Sequence, residues 1–331
     1  MNFGEAWADL EQRAPEQREG RMVRRIHPES PIDLYLAVEL HRATGRRRRI
    51  LELDVPSSVL ADEDTPEGTR QVEVAIESRG PERDALVFAL EDPGAQDLFA
   101  VMCEDVADAT ATRLTDAEAV AVCVGRFAMW RRMLQGGSPE LTARRQRGLF
   151  AELMTIRDHL APLIGFDESV RAWRGPEGAP RDFEVGGVAV ETKSSAANEP
   201  QLVPVHGERQ LDDAGLDALV LLHQSLEILR DAGETLPGIV QAVRALGDGL
   251  VEAGTLEDRL LQSGYVDLHA PMYRRTGYEV RRTSLFLVST GFPRITEADL
   301  VDGVGSVRYS LAIDACRAFE VDGEILARLL G

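Results

Sequence analysis

Asp182-Phe183-Glu184-Val185-Gly186-Gly187-Val188-Ala189-Val190-Glu191-Thr192-Lys193 is the stretch whose reading decides the fold. Gly186-Gly187 signals a two-residue hairpin loop, because type I′ and II′ turns need positive φ. With those two residues as the loop, Val185 pairs Val188, Glu184 pairs Ala189, Phe183 pairs Val190 and Asp182 pairs Glu191. Side chains alternate faces along a strand. Phe183, Val185, Val188 and Val190 then form an apolar face suited to a core, and Asp182, Glu184, Glu191 and Lys193 share the other. Like charges directly opposed on a hairpin repel. A cation or a proton between Asp182 and Glu191 relieves that conflict, and Mg²⁺ characteristically takes one or two carboxylates plus water and substrate phosphate. Lys193 is the only lysine in the chain, and every other basic residue apart from histidine is arginine. A compact ammonium of tunable pKa is what arginine cannot supply, so Lys193 is a candidate to orient or help deprotonate an attacking water. An ordinary solvated hairpin face with a cross-strand charge cluster is the plainer alternative.

The surrounding chain has 331 residues and a formal charge of −19. That length suits two domains or one large one, and the charge argues against indiscriminate coating of nucleic acid or anionic membrane. The polar start lacks the pattern of a signal peptide, and no apolar run approaches membrane-spanning length. Cys103, Cys123 and Cys316 are scattered without metal or redox spacing, which fits a reducing cytoplasm. The six histidines form no ligand pair at helical spacing.

Residues 3–19 read as a short polar helix. Five strand-like segments follow: Asp33–Leu40, Arg49–Val55, Gln71–Ile76, Ala85–Leu90 and Leu98–Cys103. A helix opens at Thr115 with acidic residues in its first turn. Gln135-Gly136-Gly137-Ser138-Pro139 ends it and marks a domain boundary. The expected organisation is a β-rich N-terminal domain over 1–136 and an α/β domain over 138–331. In the latter, Glu140–Arg147 and Gly148–Leu163 read as helical, with Glu152 either an exposed helix carboxylate or one aimed at the hairpin. Gln201–His206, Asp217–Gln224, Tyr278–Ser289 and Val304–Cys316 read as strands, and Thr235–Leu246 and Thr255–Ser263 as helices.

The order of a helix bearing Glu152, a hairpin bearing Asp182 and Glu191-Thr192-Lys193, then a strand and Glu208-Arg209-Gln210 resembles the PD-(D/E)XK nuclease core. Gly148-Leu149-Phe150-Ala151-Glu152, Trp173-Arg174-Gly175-Pro176, Glu208-Arg209-Gln210-Leu211 and Phe292-Pro293-Arg294-Ile295 add to it. Together these runs resemble the bacterial family called "PD-(D/E)XK motif protein". The resemblance implies a restriction-endonuclease-like core, a mixed sheet flanked by helices, after the β-rich N-terminal domain. It implies that Asp182 and Glu191 bind Mg²⁺ or Mn²⁺ with the Thr192 carbonyl, that Lys193 positions the water, and that Glu152 completes the site. It also implies that Gln210 touches the site or the DNA backbone. Pro180 stands one place earlier than the family's proline, with Arg181 directly before Asp182.

The activity implied is metal-dependent DNA cleavage in a restriction or phage-defence setting, with modified DNA among the candidate targets. ATPase, helicase-like or methyltransferase proteins of the same locus are the implied partners. A homodimer is compatible, and no membrane is involved. A catalytically silent DNA-binding or scaffolding subunit is the alternative. Phosphate contacts supply most non-specific DNA affinity, and the arginine clusters are the candidates for them. Arg144, Arg145 and Arg147, leading into the Glu152 helix, rank first. Arg46, Arg47, Arg48 and Arg49 at a strand turn come next.

Overall fold

A computed structural model describes residues 2–13, 21–40, 45–61, 65–134, 140–196, 200–250 and 252–331. The chain forms two compact units, Met1–Pro139 and Glu140–Gly331. The Gln135–Pro139 boundary stretch lies outside the described residues, as do residues 14–19 of the expected first helix.

In the first unit, α1 (Phe3–Arg13) precedes β1 (Arg21–Ile26), β2 (Asp33–Leu40), β3 (Arg47–Pro56), the short α2 (Ser57–Leu60), β4 (Val72–Ser78) and β5 (Arg83–Leu90). The strands form one antiparallel sheet in the order β1-β2-β3-β5-β4. Helices α3 (Gln96–Ala111) and α4 (Asp116–Leu134) follow. The expected strand Leu98–Cys103 is therefore helix. Read past Cys103, its buried residues Phe99, Met102, Cys103, Val106 and Thr110 recur at three and four, which is helical spacing. Strand β1 has no apolar alternation: its arginine-rich sequence is mostly exposed, as an edge strand tolerates.

The second unit opens with α5 (Ala143–Thr155), a π-turn (Ile156–Leu160) and α6 (Ala161–Ala172). The hairpin follows as β6 (Phe183–Val185) and β7 (Val188–Ser195), then β8 (Leu202–Val205), β9 (Ala218–Arg230) and β10 (Glu234–Thr235). Next come α7 (Leu236–Leu246), α8 (Ala253–Gln262), α9 (Ala270–Tyr273), β11 (Thr276–Leu287), β12 (Tyr309–Ala312), β13 (Glu320–Val321) and α10 (Ile325–Leu330). The main sheet runs β10-β11-β9-β7-β6, with β13 on β11; β7 and β9 are parallel and the other neighbours antiparallel. Of the expected strand Val304–Cys316, only Tyr309–Ala312 pairs, with β8; Ile313–Phe319 winds into 3₁₀ turns.

Two cores hold this sheet. Phe183, Val190, Val220, Leu222 and Leu285 meet Phe150, Leu153, Val240 and Val243 from α5 and α7. Each such side chain contributes about 2–3 kcal/mol by leaving water. On the opposite face, Ala189, Leu219, Leu221 and Phe286 pack under Val203 and Val205 of β8 and Leu311 of β12. The hairpin face that bears Glu191 is thus covered rather than solvated. Polar bolts cross the first layer: Thr155 Oγ1 lies 3.2 Å from Thr192 Oγ1, and Gln224 Nε2 donates to the Ala151 carbonyl at 3.1 Å. They fix α5 against β7 and β9.

Candidate active site

The Gly-Gly turn fixes where the carboxylates go. Gly186 and Gly187 adopt φ of +55° and +83°, as a type I′ turn needs. The strands pair as Phe183↔Val190, Glu184↔Ala189 and Val185↔Val188. Gly187 is required twice over, since a Cβ there would stand 2.3 Å from Asp217 Oδ2. Asp182, just before β6, meets the β7 strand end to side: its Oδ2 accepts from the Thr192 N–H at 2.8 Å, and its own N–H donates to Glu191 Oε2 at 3.2 Å.

Glu152 arrives from α5, whose first turn is capped by Thr142 Oγ1 accepting from the Arg145 N–H. Trp173 Nε1 donates to Glu152 Oε2 at 2.8 Å. The loop after Trp173 then closes on Asp182: the N–H groups of Arg174 and Gly175 donate to its carbonyl at 2.7 and 3.0 Å. A Cβ on Gly175 would lie 3.0 Å from Asp182 Oδ1 and 3.4 Å from Glu152 Oε2. Glycine there leaves the two carboxylates room to face each other. Glu152, Asp182 and Gly175 line a cleft of about 340 Å³, with Arg145 at its side.

Lys193 Nζ lies 2.6 Å from Glu191 Oε1, and Glu191 is fully buried. Nζ also donates to Gln210 Oε1 at 3.2 Å, and the same oxygen accepts from the His206 N–H at 2.8 Å. The loop carrying Gln210 is held by Arg294, which donates to the Leu211 carbonyl at 2.6 Å and to Asp213 at 2.8 Å. Arg181, in the place of a motif proline, donates to Glu184 at 2.9 Å and to the Asp212 carbonyl.

One buried carboxyl, Glu191, and two half-buried ones, Glu152 and Asp182, thus face a single ammonium. Burial pushes Glu152 well above the usual carboxylate range, with Asp182 and then Glu191 adding to the shift and the Trp173 bond opposing it. Asp182 is raised by burial against the pull of Lys193 and the Thr192 N–H. Glu191 is pushed up to about 8, by burial first and Asp182 next. Burial disfavours the Lys193 ammonium, but Glu191 and Asp182 outweigh it and raise its pKa. The cluster as a whole therefore favours the charged form of Lys193 and the protonated form of each carboxyl.

The cluster offers oxygen donors of the type that hard divalent cations take. Among the described residues no three Asp, Glu, His or Cys side chains form a ready cage. Asp182 and Glu191 with the Thr192 carbonyl instead make a short oxygen donor set, the kind Mg²⁺ completes with water and phosphate. Once ionised, the three carboxylates outnumber the one ammonium, which fits such a cation.

The family model DUF4420, described as "Putative PD-(D/E)XK family member", matches residues 3–314. The chain belongs to this family. Neither a curated protein nor a solved structure matches it. Membership in DUF4420 agrees with the mixed α/β architecture and points to nuclease-like chemistry, for which PD-(D/E)XK enzymes usually use divalent metals. No described helix is long and apolar enough to cross a membrane.

Glu152, Asp182, Glu191, Thr192, Lys193 and Gln210 are brought together. Arg145 joins them at the cleft, and Arg144 Nη2 lies 2.6 Å from His206 Nε2 beside Gln210. Arg147 is half-buried on the same helix. The other cluster is differently employed. Arg48 pairs with Glu39, Glu73 and Glu91, and Arg49 grips Glu11 at 2.8 and 3.1 Å. Arg47 donates to the Glu11 carbonyl at 2.8 Å, and Arg46 is exposed. Arg48 and Arg49 are occupied within the first unit, so the expected phosphate-binding run does not stand as a unit. Reading the sequence left Trp173 and Gly175 as motif letters without roles. A buried indole N–H needs a partner, which was the one available signal for Trp173.

Proposed function

We propose that this chain is a metal-dependent DNA endonuclease of a restriction or phage-defence system, acting in the cytoplasm. The carrying observation is the convergence of Glu152, Asp182, Glu191 and Lys193, from a helix and both sides of a hairpin, into one partly buried cluster beside a cleft. Asp182 and Glu191, with the Thr192 carbonyl, hold Mg²⁺ or Mn²⁺, and Glu152 completes the acidic wall. A bound ion supplies Lewis acidity, neutralises phosphate charge and lowers the pKa of its water. Lys193, steadied by Gln210, orients the attacking water and donates to a non-bridging phosphate oxygen as its negative charge builds. Trp173 keeps Glu152 directed at Asp182. Arg145 and Arg144 take backbone phosphates along the cleft.

The first unit reads a DNA feature, such as a modified base, or docks an ATPase, helicase-like or methyltransferase partner. A homodimer places two such sites for a double-strand cut. Cleavage of methylated and unmethylated plasmid with added Mg²⁺ tests the reading. Wild-type protein is expected to cut, and Asp182→Ala and Lys193→Ala are not. Equal cutting by the variants would overturn the site assignment. Metal-independent DNA binding without cleavage of any substrate, partners included, would favour a silent scaffolding subunit.

A further inference from the structure

On the face where Glu191 lies, the main sheet changes character along its strands. Ala189, Leu219, Leu221 and Phe286 make it apolar toward the start of β7. Beyond them the register sets Lys193 beside His223 and His223 beside Ser284, then Ser195 beside Ser225 and Ser225 beside Arg282. In-register side chains of neighbouring strands share a face. A polar row therefore starts at the lysine of the acidic cluster and crosses the sheet, one strand spacing of roughly 4.8 Å at a time.

A cavity of about 520 Å³ opens over this row, with Gln201, His223, Ser225, Arg282, Ser284 and Phe286 among its walls. Ligand pockets span roughly 300–1,000 Å³, so a nucleotide-sized group fits. The walls hold fixed hydrogen-bonding groups. His223, Ser225 and Ser284 are buried. His223 Nε2 lies 3.0 Å from Ser195 Oγ, and Gln201 Nε2 donates to Ser225 Oγ at 2.6 Å. Burial, with Arg282 nearby, pulls the His223 pKa down to about 4, so at neutral pH the ring is uncharged. Such a ring offers one donor and one acceptor.

The charges at the cavity are already matched. Arg282 binds Glu320 at 2.6 Å, Arg281 binds Glu227 at 3.2 Å and Arg317 binds Asp314 at 2.5 Å. A phosphate would have to displace a carboxylate to use any of them. A flat, neutral, polar ligand displaces no carboxylate: it meets the remaining hydrogen-bonding capacity of the Gln201 amide, the Ser225 hydroxyl and the His223 imidazole beside the Phe286 wall.

We propose that this cavity is a nucleobase subsite, which takes the base next to the phosphodiester held at Glu191 and Lys193. The proposal rests on the nuclease reading of the neighbouring cluster, but it has its own readout. The full chain is titrated calorimetrically with the four deoxynucleoside 5′-monophosphates and with deoxyribose 5-phosphate, which lacks a base. At least one nucleotide is expected to bind about tenfold more tightly than the base-free sugar phosphate, because base contacts add to phosphate contact. Gln201→Trp fills the cavity and Ser225→Ala removes a wall hydroxyl. Each is expected to erase most of that preference at an unchanged melting temperature. If Gln201→Trp melts early, Ser225→Ala decides alone. Equal affinity for the base-free compound, no nucleotide binding, or a preference unmoved in the folded variant overturns the subsite. Nucleotide binding without any DNA cleavage would instead sink the nuclease reading and leave the subsite standing.

Discussion

Raising the pH should weaken the metal-free protein, and Glu191 is one of the carboxyls responsible. Burial, with Asp182 alongside, pushes its carboxyl up to about 8, against an ordinary value of 4.5. Between those values the unfolded chain has lost the Glu191 proton and the folded chain still holds it. The stability that this proton confers is complete below the unfolded value and is lost as pH climbs through the folded one. One proton corresponds to about 1.4 kcal/mol per pH unit. From about pH 5.5 to about pH 7.5 the loss is then on the order of 2–3 kcal/mol. Urea denaturation in EDTA measures it, with Glu191→Gln as the reference that lacks the titrating group. The wild-type stability minus that of Glu191→Gln should fall by that amount across the window. Saturating Mg²⁺ should flatten the wild-type curve, because the cation binds the ionised carboxylate of the native state. Parallel wild-type and variant curves in EDTA would refute the reasoning, and so would a difference that grows with pH.

Three further outcomes follow from the same geometry. Lys193→Ala should lower single-turnover DNA cleavage at least about a hundredfold with DNA binding retained; a loss of binding instead would make Lys193 a phosphate contact only. Gly175→Ala should lower cleavage about tenfold or more with little change in melting temperature, because its Cβ pushes on Asp182 Oδ1 at 3.0 Å and Glu152 Oε2 at 3.4 Å; full activity would show that these carboxylates need not face each other closely. Trp173→Phe removes the N–H bond to Glu152, so the Glu152 carboxyl should titrate higher still and the cleavage profile should move to higher pH; an unshifted profile would detach Glu152 from the chemistry.

The hairpin was legible because its grammar is local. A Gly-Gly turn sets register, and register sets which residues share a face, so Asp182 and Glu191 could be placed together from spacing alone. Glu152 could not, because whether a helix carboxylate points at a hairpin depends on packing many residues away; the family resemblance supplied that link. The second core was hidden for a similar reason. Ala189 looks like part of a polar face until β8 and β12, remote in sequence, cover it. Leu98–Cys103 was too short a window for its helical period to show. The arginine runs misled in part because a run reveals charge but not partners: Arg48 reaches Glu39, Glu73 and Glu91, brought near by antiparallel pairing.

The central claim is that Asp182 and Glu191 are the two side-chain ligands of a catalytic divalent ion. Anomalous diffraction from crystals soaked in Mn²⁺ tests it most directly. The account predicts one strong peak bridging Asp182 and Glu191 at about 2.1 Å from each carboxylate, with the Thr192 carbonyl also in contact. No peak at the cluster, with Lys193 still seated on Glu191, would contradict it.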